Sequence, residues 1–287
     1  MLMKVLVTGS GGQLGRELNK ELEGRMPGCT DYVTHGQLDI ADADAVRECL
    51  SSGLYTHIIN CAAYTAVDRA EEEKLECTAV NADGVSNLAR QASEFDCKLI
   101  HISTDYVFGG NSCRPYTEGD KPSPTTVYGS TKRKGETALL GLLPESIIIR
   151  TGWLYSSYGH NFLKTILRLA DEREELRVVC DQVGTPTYAR DLAGAIVDIL
   201  SHPQWTPGIF NYANEGVASW YDFAVVALVL AGKADRARSV VPILTEDYPT
   251  AASRPQYSVL DKTKIKAVYN LTIPHWQDAL ARCLKCL

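Results

Sequence analysis

A glycine-rich turn between the first predicted strand and the first predicted helix constrains the fold most. Residues 4–8 form an apolar run with β-branched side chains, and Gly9, Gly12 and Gly15 follow at intervals of three before a helical segment at 16–23. Such a helix start leaves backbone N–H groups unpaired, and the helix dipole favours an anion beside them. Because the turn follows the first strand of an alternating chain, it predicts a dinucleotide-binding site.

The rest of the chain continues the alternation of strands and helices. Further strands are predicted at 31–34, 57–60, 98–104, 146–150 and 176–180, and helices at 43–50, 161–173 and 188–200. This order predicts an α/β fold, a Rossmann-type doubly wound parallel sheet. Beyond residue 202 prolines interrupt the pattern, which indicates a smaller, loop-rich C-terminal lobe with helices at 220–231 and 276–284.

The length of the chain favours two domains of unequal size, because 287 residues exceed the usual size of one domain. Residues 1–151 are assigned to a dinucleotide-binding domain, to which 176–202 is expected to return. Residues 152–175 and 203–287 are assigned mainly to a substrate-binding lobe.

Charge and hydropathy argue against several classes of partner. The net charge is −6 and no Lys/Arg cluster offers a stripe for phosphates, so nucleic acid is not expected as a partner. No apolar run reaches membrane-spanning length, and residues 1–4 lead into a strand rather than a signal peptide, so we expect a cytoplasmic protein. The nine scattered cysteines fit a reducing compartment. Cys283 and Cys286 form an isolated CxxC pair, for which no metal or redox role is expected.

Tyr128 and Lys132 are a candidate catalytic pair. Four positions apart on a predicted helix, they lie on one face. An ammonium beside the phenol would lower the pKa of the tyrosine and make it a usable proton donor near neutral pH. The same spacing also occurs on ordinary surface helices, so the pair alone does not decide the function.

Polar or small side chains also follow two other predicted strands. Thr104 ends the strand at 98–104, and its hydroxyl can donate a hydrogen bond to a carbonyl substrate. Ala62 and Ala63 come after the strand at 57–60 and would let a cofactor approach the backbone, although close packing explains them nearly as well. His101 lies within a strand and is interpreted as a core residue rather than a catalyst.

Position 35 leaves the choice of nicotinamide cofactor open. An acid about twenty residues beyond the last glycine would bind the ribose hydroxyls of NAD, whereas an Arg there would suit the 2′-phosphate of NADP. The residue is His35, without an adjacent Arg or Lys, so NADPH and NADH both remain candidates. Asp39 is expected either to lie by the adenine or to cap the helix at 43–50.

Several short motifs share an order that is typical of one family. They include Gly9-x-x-Gly12-x-x-Gly15, the segments 60–68, 103–108, 128–136, 150–155, 161–162, 181–187 and 220–223, and Arg254-Pro255. Together they resemble the extended short-chain dehydrogenase/reductases, and within them the dTDP-4-dehydrorhamnose reductase family. The resemblance covers nearly the whole chain.

The resemblance implies reduction of the 4-keto group of dTDP-4-dehydro-L-rhamnose by NADPH or NADH. Tyr128 would supply the proton, Lys132 would lower the Tyr pKa and bond the nicotinamide ribose, and Thr104 would orient the ketone oxygen. The expected cofactor contacts are Gly9, Gly12, Gln13, Leu14, Gly15, His35, Asp39, Ile40, Ala62, Ala63, Tyr64, Ser103, Tyr128 and Lys132. The expected substrate contacts are Val67, Thr104, Asp105, Tyr106, Phe108, Trp153, Asn161, Gln182 and Arg254.

Two of these substrate contacts have a specific expected role. The flat face of Trp153 would suit a deoxyhexose methyl group, and its alternative is a core aromatic. Arg254 would bind the substrate diphosphate, and its alternative is a solvated surface charge.

Single residues help to distinguish this chain from related enzymes that share the fold. Nucleotide-sugar dehydratases carry Thr-Asp-Glu where this chain has Tyr106 as the third residue, which disfavours dehydration. Epimerases are excluded less firmly. Two alternatives stay open: a reductase of another nucleotide-linked keto sugar, and a non-catalytic NADP-binding subunit like the regulatory partner of methionine adenosyltransferase.

The resemblance also raises metal binding and assembly. Some members assemble around a metal bridged by Glu side chains, and Glu17 matches one such position. Arg190 stands where another acid would be expected, and a cation there would repel a metal, so none is expected. A homodimer is kept as one possibility.

Overall fold

Strands and helices alternate along the chain, which is described here over residues 3–287 by a computed structural model. The strands are β1 (Val5–Thr8), β2 (Thr30–Val33), β3 (His57–Asn60), β4 (Lys98–Thr104), β5 (Ile147–Thr151), β6 (Leu154–Tyr155), β7 (Leu176–Val179), β8 (Val183–Gly184), β9 (Thr187–Tyr188), β10 (Gly208–Asn211), β11 (Ala218–Ser219) and β12 (Val240–Ile243). The helices are α1 (Gln13–Arg25), α2 (Ala43–Gly53), α3 (Lys74–Thr78), α4 (Gly84–Glu94), α5 (Val127–Leu142), α6 (Phe162–Glu172), α7 (Ala189–Ser201), α8 (Trp220–Leu230), α9 (Ala234–Ala237), α10 (Thr263–Tyr269) and α11 (Trp276–Leu284). A π-helical segment, Ala79–Asp83, joins α3 to α4.

Six parallel strands form the central sheet, in the order β10-β5-β4-β3-β1-β2. The strand order reverses between β1 and β3, and in a doubly wound sheet ligands bind at the carboxyl edge beside that point. Successive side chains on a strand face opposite sides of a sheet. Val5 and Val7 accordingly pack with α1 and α7, whereas Leu6 packs with α2 and α4. The predicted Rossmann-type doubly wound sheet is confirmed.

The sixth strand of the sheet differs from the prediction. The strand expected at 176–180 forms as β7, but it pairs with β12 in a separate two-stranded sheet, where Leu176 and Val178 are buried against α6 and α8. The sixth position is taken by β10, from the segment assigned to the lobe, which pairs in parallel with β5. An apolar strand pattern predicts a strand but does not identify its neighbour. The division into two domains at the stated bounds stays a prediction.

Side chains of the helices α6, α8 and α11 form a further core beside the central sheet. Leu163, Phe223, Trp276 and Leu280 are buried there together with Tyr155. Over residues 3–287, no helix combines the length and the apolar character needed to span a bilayer.

A buried ion pair fixes α5 to the sheet. Glu136, one helical turn after Lys132, accepts hydrogen bonds from Arg150 Nε and Nη2 at 2.8 and 2.7 Å, and from Ser103 Oγ at 2.7 Å. Arg133 of the same helix adds a contact at 2.9 Å. A buried carboxylate needs such partners to offset its lost hydration. The network joins α5 to the adjacent strands β4 and β5.

Gly135 lets α5 approach the π-helical segment closely. A Cβ atom at this position would lie 2.2 Å from the backbone oxygen of Asn81. Because backbone atoms cannot move aside as a flexible side chain does, a larger residue here must push α5 outward.

We expect Gly135→Ala to lower the free energy of unfolding by about 1–3 kcal/mol, because the added methyl group overpacks the helix contact. Gly141→Ala on the same helix is the matched control, since nothing lies within 4 Å of the place that its methyl group would occupy. It should raise stability by about 0.5–1 kcal/mol. Urea denaturation of the two variants measures both changes, and equal changes would contradict the close approach.

Candidate active site

The glycine-rich turn lies against the end of β3. Gly9 has φ +66°, and a Cβ atom there would lie 2.5 Å from the backbone nitrogen of Ala62. A Cβ atom on Gly15 would lie 2.5 Å from Ser10 Cα. Gly12 is the N-cap of α1 and no side chain caps this helix. The backbone N–H groups of the first turn can therefore bind an anion, and the turn fits the pyrophosphate of a dinucleotide.

Gln13 and Leu14 use their side chains within the protein. Leu14 is buried in the core, so only its backbone faces the turn. Gln13 Oε1 accepts a hydrogen bond at 2.9 Å from Asn161 Nδ2, which also donates to the Ser156 carbonyl. Asn161 Oδ1 caps α6 by accepting from Lys164 N at 3.0 Å. Both amide atoms of Asn161 thus have partners within the chain, and its expected contact with substrate stays a prediction.

The segment after β2 resolves the alternative for Asp39. The N-cap of α2 is Asp42, which accepts from the backbone nitrogens of Asp44 and Ala45 at 3.0 Å each. The capping role expected for Asp39 is therefore wrong, and its carboxylate instead accepts from Ala41 N at 2.9 Å. His35 is exposed, with Nδ1 3.8 Å from Asp39 Oδ1.

Two expected cofactor contacts beyond β2 and β3 bind neighbouring residues. Ile40 is buried, so only its backbone can contact a ligand. Tyr64 donates its hydroxyl to Glu73, and its backbone nitrogen donates to Asn81 Oδ1 at 3.0 Å. Ala63 and Val67 are half-buried beside this segment.

Tyr128 and Lys132 lie at the start of α5, where the helix contacts the end of β4. Thr126 is the N-cap and accepts from Gly129 N at 3.0 Å. A Cβ atom on Gly129 would lie 2.2 Å from the Tyr106 carbonyl oxygen, so glycine permits this contact. The Tyr128 ring packs edge-on against Tyr106, with 5.5 Å between centroids. The sequence-predicted Thr104, Tyr106 and Tyr128 are thus brought together.

The electrostatics of the pair differ from the expectation. Burial raises the pKa of Tyr128 above its ordinary value, and the neighbouring Thr104 hydroxyl opposes this. Burial lowers the pKa of Lys132 to about 8, and the Glu136 carboxylate opposes this. Lys132 Nζ donates to the Ile102 carbonyl at 2.7 Å. The net direction of the Tyr128 pKa is opposite to the expected one, because burial of the phenol dominates. The lowering expected from Lys132 stays a prediction.

Thr104 is bonded to the residue that follows it. Its hydroxyl donates to Asp105 Oδ1 at 3.0 Å and accepts from Tyr106 N at 3.2 Å. Asp105 is 2% exposed, and a Cβ atom on Gly152 would lie 2.4 Å from its carboxylate. Burial raises the pKa of Asp105 to about 6, although the neighbouring hydroxyls of Ser258 and Thr104 oppose the rise.

Arg254 is neither a solvated surface charge nor unpaired. Its guanidinium forms an ion pair with Asp68, and Nη1 lies 3.4 Å from the Tyr106 hydroxyl. Asp68 also accepts from Ala252 N at 3.1 Å. These contacts fasten the loop before Arg254 to the segment after β3, and they bring Arg254 next to the aromatic pair.

Trp153 presents less of its ring than the sequence suggests. Its backbone has φ +50°, and its indole stacks in parallel on Trp220 with 3.5 Å between centroids. A Cβ atom on Gly184 would lie 2.5 Å from its Nε1 atom. One face of the indole is covered, so the expectation of a flat surface for the sugar methyl is wrong for that face.

The side chains of three further predicted contacts are bound inside the protein. Ser103 donates to Glu136, and Gln182 Nε2 donates to Thr245 Oγ1 at 3.1 Å. Phe108 is 2% exposed and stacks on Tyr116 with 4.3 Å between centroids. Ser103 and Phe108 are both buried, and their expected contacts with a ligand stay predictions.

The two positions named for a metal, Glu17 and Arg190, bind protein groups. Glu17 is buried and accepts from Ser156 Oγ at 2.5 Å, and Arg190 pairs with Glu21. Within residues 3–287, no cluster of three or more His, Cys, Asp and Glu has a metal-binding arrangement. In the CxxC pair, Cys283 is buried and Cys286 is exposed.

Comparison with known proteins identifies the family of the chain. The family model described as the RmlD substrate binding domain matches residues 3–287. A dTDP-4-dehydrorhamnose reductase of Aggregatibacter actinomycetemcomitans is 42% identical, over 97% of this chain and 97% of its own. The chain belongs to the RmlD substrate-binding family.

Two solved structures of RmlD-type reductases share the whole architecture. A dTDP-4-dehydrorhamnose reductase of Clostridium acetobutylicum has a TM-score of 0.94 at 38% identity, with 99% of each chain covered. That of Bacillus anthracis, solved in complex with NADP, has a TM-score of 0.94 at 36% identity, with 100% of each chain covered. The resemblance to this reductase family is confirmed.

Three polar residues near these positions were not named as ligand contacts in the sequence analysis. Asn60 ends β3 and contacts His101, Asn81 lies in the π-helical segment and holds Tyr64, and Asp68 pairs with Arg254. The buried placement of His101 in the core is confirmed, but its ring also contacts Lys132. An Asn at the carboxyl end of a buried strand was the available signal, because buried amides must find hydrogen-bond partners.

Asp105→Asn should stabilise the RmlD fold above pH 6. A carboxyl whose folded pKa is raised to about 6 binds protons more tightly in the native state, so stability falls as pH rises from about 4 to 6. A rise of that size corresponds to about 2–3 kcal/mol that the asparagine avoids. Urea denaturation at pH 4 and pH 7.5 measures the difference between variant and native protein at each pH. The exposed control Asp235→Asn should change little, and a gain for Asp105→Asn that is equal at both pH values would contradict the buried acid.

Proposed function

We propose that this protein reduces the 4-keto group of dTDP-4-dehydro-L-rhamnose to dTDP-L-rhamnose, with NADPH or NADH as the hydride donor. The observation that carries the proposal is the position of Tyr128 and Lys132 at the start of α5, against the end of β4, where the Thr104 hydroxyl neighbours the Tyr128 phenol. Full-length relatives named dTDP-4-dehydrorhamnose reductases support the substrate. The relative solved with NADP supports the cofactor.

In the proposed reaction, the side chains of the protein must transfer a proton to the ketone oxygen. A bound nicotinamide supplies the hydride to the ketone carbon. Tyr128 then gives its phenolic proton to the oxygen, which becomes a hydroxyl. A raised phenol pKa suits this role, because Tyr128 carries its proton at neutral pH and an alkoxide is a stronger base than a phenolate.

Thr104 is proposed to orient Tyr128 and, through it, the ketone. The single Thr104 proton is directed at Asp105, so its oxygen remains an acceptor for the Tyr128 hydroxyl. Lys132 is proposed to bond the nicotinamide ribose. Thr104 thus acts on the proton donor, and Lys132 acts on the cofactor.

The substrate diphosphate is proposed to bind Arg254. A diphosphate competes with Asp68 for the guanidinium, since phosphate oxygens accept the same forked pair of hydrogen bonds. Val67 and Tyr106 remain candidate contacts for the nucleotide sugar. Phe108, Asn161 and Gln182 act from within the protein, by packing and hydrogen bonding.

The domain division, the cellular location and the binding partners of the protein stay proposals. Residues 1–151 with 176–202 form the proposed dinucleotide-binding domain, and the rest forms the substrate lobe. A cytoplasmic location fits the nine unpaired thiols. We also propose that the protein forms a homodimer and that it binds neither a metal nor nucleic acid. A reductase of another nucleotide-linked keto sugar is distinguished by product analysis with dTDP-, UDP- and GDP-linked substrates, and a non-catalytic subunit by failure to oxidise either cofactor.

We expect Tyr128→Phe to lower kcat by about 10²–10⁴-fold, because only the proton donor is lost. NADPH affinity should stay nearly unchanged. The measurement is steady-state oxidation of NADPH and of NADH with the authentic 4-keto sugar nucleotide, beside fluorescence titration of the cofactor. Tyr269→Phe, which removes a buried hydroxyl bonded to the Thr206 carbonyl far from the site, is the matched control. Full activity in the Tyr128 variant would reject the assigned acid.

Lys132→Ala should impair both turnover and cofactor binding. The loss removes a hydrogen-bond donor to the ribose, so we expect NADPH affinity to fall about tenfold. Lys134→Ala, an exposed lysine on the same helix, should leave both quantities unchanged. The same titration and rate assays apply, and a variant with native values for both would show that Lys132 has neither role.

A further inference from the structure

A chain of buried hydrogen bonds leads from β1 to the Lys132 nitrogen. Thr8 Oγ1 donates to Asn60 Oδ1 at 2.7 Å, Asn60 Nδ2 lies 3.0 Å from His101 Nδ1, and His101 Nε2 lies 3.3 Å from Lys132 Nζ. All four residues are at most 1% exposed. The proposed reaction uses Lys132 and leaves the other three unexplained.

The direction of each hydrogen bond in this chain can be assigned. Asn60 Oδ1 also lies 3.1 Å from the backbone nitrogen of Ala62, which can only donate. The amide oxygen of Asn60 therefore faces Ala62 and Thr8, and its amide nitrogen faces His101 as a donor. His101 Nδ1 must accept, so a neutral ring carries its hydrogen on Nε2.

The Nε2–H group of His101 is thereby directed at the nitrogen of Lys132. An amine can accept this hydrogen bond through its lone pair, whereas an ammonium presents only donors. Protonation of the ring itself would set Nδ1–H against the Asn60 amide hydrogens. Burial and the adjacent lysine also hold the His101 pKa well below its ordinary value.

We propose that His101, held as its Nε2–H tautomer by Asn60, is a positioning residue that donates to Lys132 and so favours the neutral amine over the ammonium. The inference rests on the proposed function and deepens it. It makes Lys132 a group that exchanges its proton near neutral pH, one helical turn from the proton donor Tyr128.

The charged and titratable groups that face Lys132 oppose a lowered pKa, and burial favours one. Glu136 on α5, Cys61 after β3 and Cys77 on α3 are the charged or titratable neighbours of its nitrogen. Each of them would raise the Lys132 pKa, yet that pKa lies at about 8. Burial is its largest cause, and burial raises the Cys61 pKa to about 12, which leaves that neighbour an uncharged thiol. A hydrogen bond to the neutral form lowers a lysine pKa in the same direction as burial.

Nuclear magnetic resonance of protein labelled with ¹⁵N-histidine tests the tautomer and the contact without relying on activity. The chain has six histidines, and loss of one signal pair in His101→Asn assigns the ring. We expect an unprotonated Nδ1, a protonated Nε2, and an Nε2 shift that titrates near pH 8. In Lys132→Met this titration should vanish while the tautomer persists. An Nδ1–H tautomer, or an Nε2 shift that is constant from pH 6 to 10, would overturn the proposal.

Kinetics test the consequence for the reaction. His101→Asn keeps an acceptor for Asn60 but removes the donor to Lys132, and His101→Phe keeps the ring volume without either nitrogen. Both should move the limb of the kcat profile that reports Lys132 to higher pH by about one unit, the worth of one hydrogen bond. A shift in the Asn variant alone would indicate water entry and reject the role of Nε2–H. His57→Asn, in the neighbouring strand β3, is the matched control and should leave the profile unchanged.

The proposed function and the role of His101 fail separately. If the native protein oxidises neither NADPH nor NADH with a 4-keto sugar nucleotide, the proposed function fails, while the histidine signals still report the contact with Lys132. If turnover is normal but neither variant moves the profile, the reductase assignment stands and the role of His101 is rejected.

Discussion

The buried ion pair between Glu136 and Arg150 is the interaction on which the geometry of the site depends. Glu136 lies one turn beyond Lys132 on α5, and its carboxylate binds Arg150 on β5 and Ser103 on β4. A buried charge is stabilised by the hydrogen bonds that it makes, and the Glu136 carboxylate accepts them from three elements, β4, β5 and its own helix. Because the network fixes both the rotation of α5 and its distance from the sheet, it determines where the helix aims Tyr128.

The sequence predicts the architecture better than the contacts. Alternating apolar segments and the Gly9, Gly12 and Gly15 turn indicate a doubly wound sheet, because these patterns report burial and backbone geometry locally. They do not encode which strand pairs with which, so the sequence alone assigns β10 to the lobe and β7 to the sheet. The helical spacing of Tyr128 and Lys132 predicts a shared face, but the direction of the Tyr128 pKa depends on burial by distant segments, which spacing does not reveal.

The internal contacts at the site that the sequence does not predict have a common physical cause. Polar side chains predicted to contact ligands bind one another: Asn161 binds Gln13, Arg254 binds Asp68, and Ser103 binds Glu136. A buried polar group without a partner costs about 1–3 kcal/mol, so a pocket built from such groups forms internal hydrogen bonds wherever it can. A motif identifies residue types suited to a ligand, whereas the fold decides whether the ligand or a neighbouring residue receives the bond.

Several titratable groups of the site are buried at a cost in free energy. Tyr128, Lys132, His101 and Asp105 all have pKa values displaced by loss of hydration. Each displacement opposes the charged form, so the interior beside β4 disfavours charge in acids and bases alike. A reaction that passes one proton to a forming alkoxide benefits from such an interior, because neutral donors keep their protons until the substrate becomes the strongest base present. The stability lost at Asp105 and Lys132 is thus the physical counterpart of a site suited to a single proton transfer.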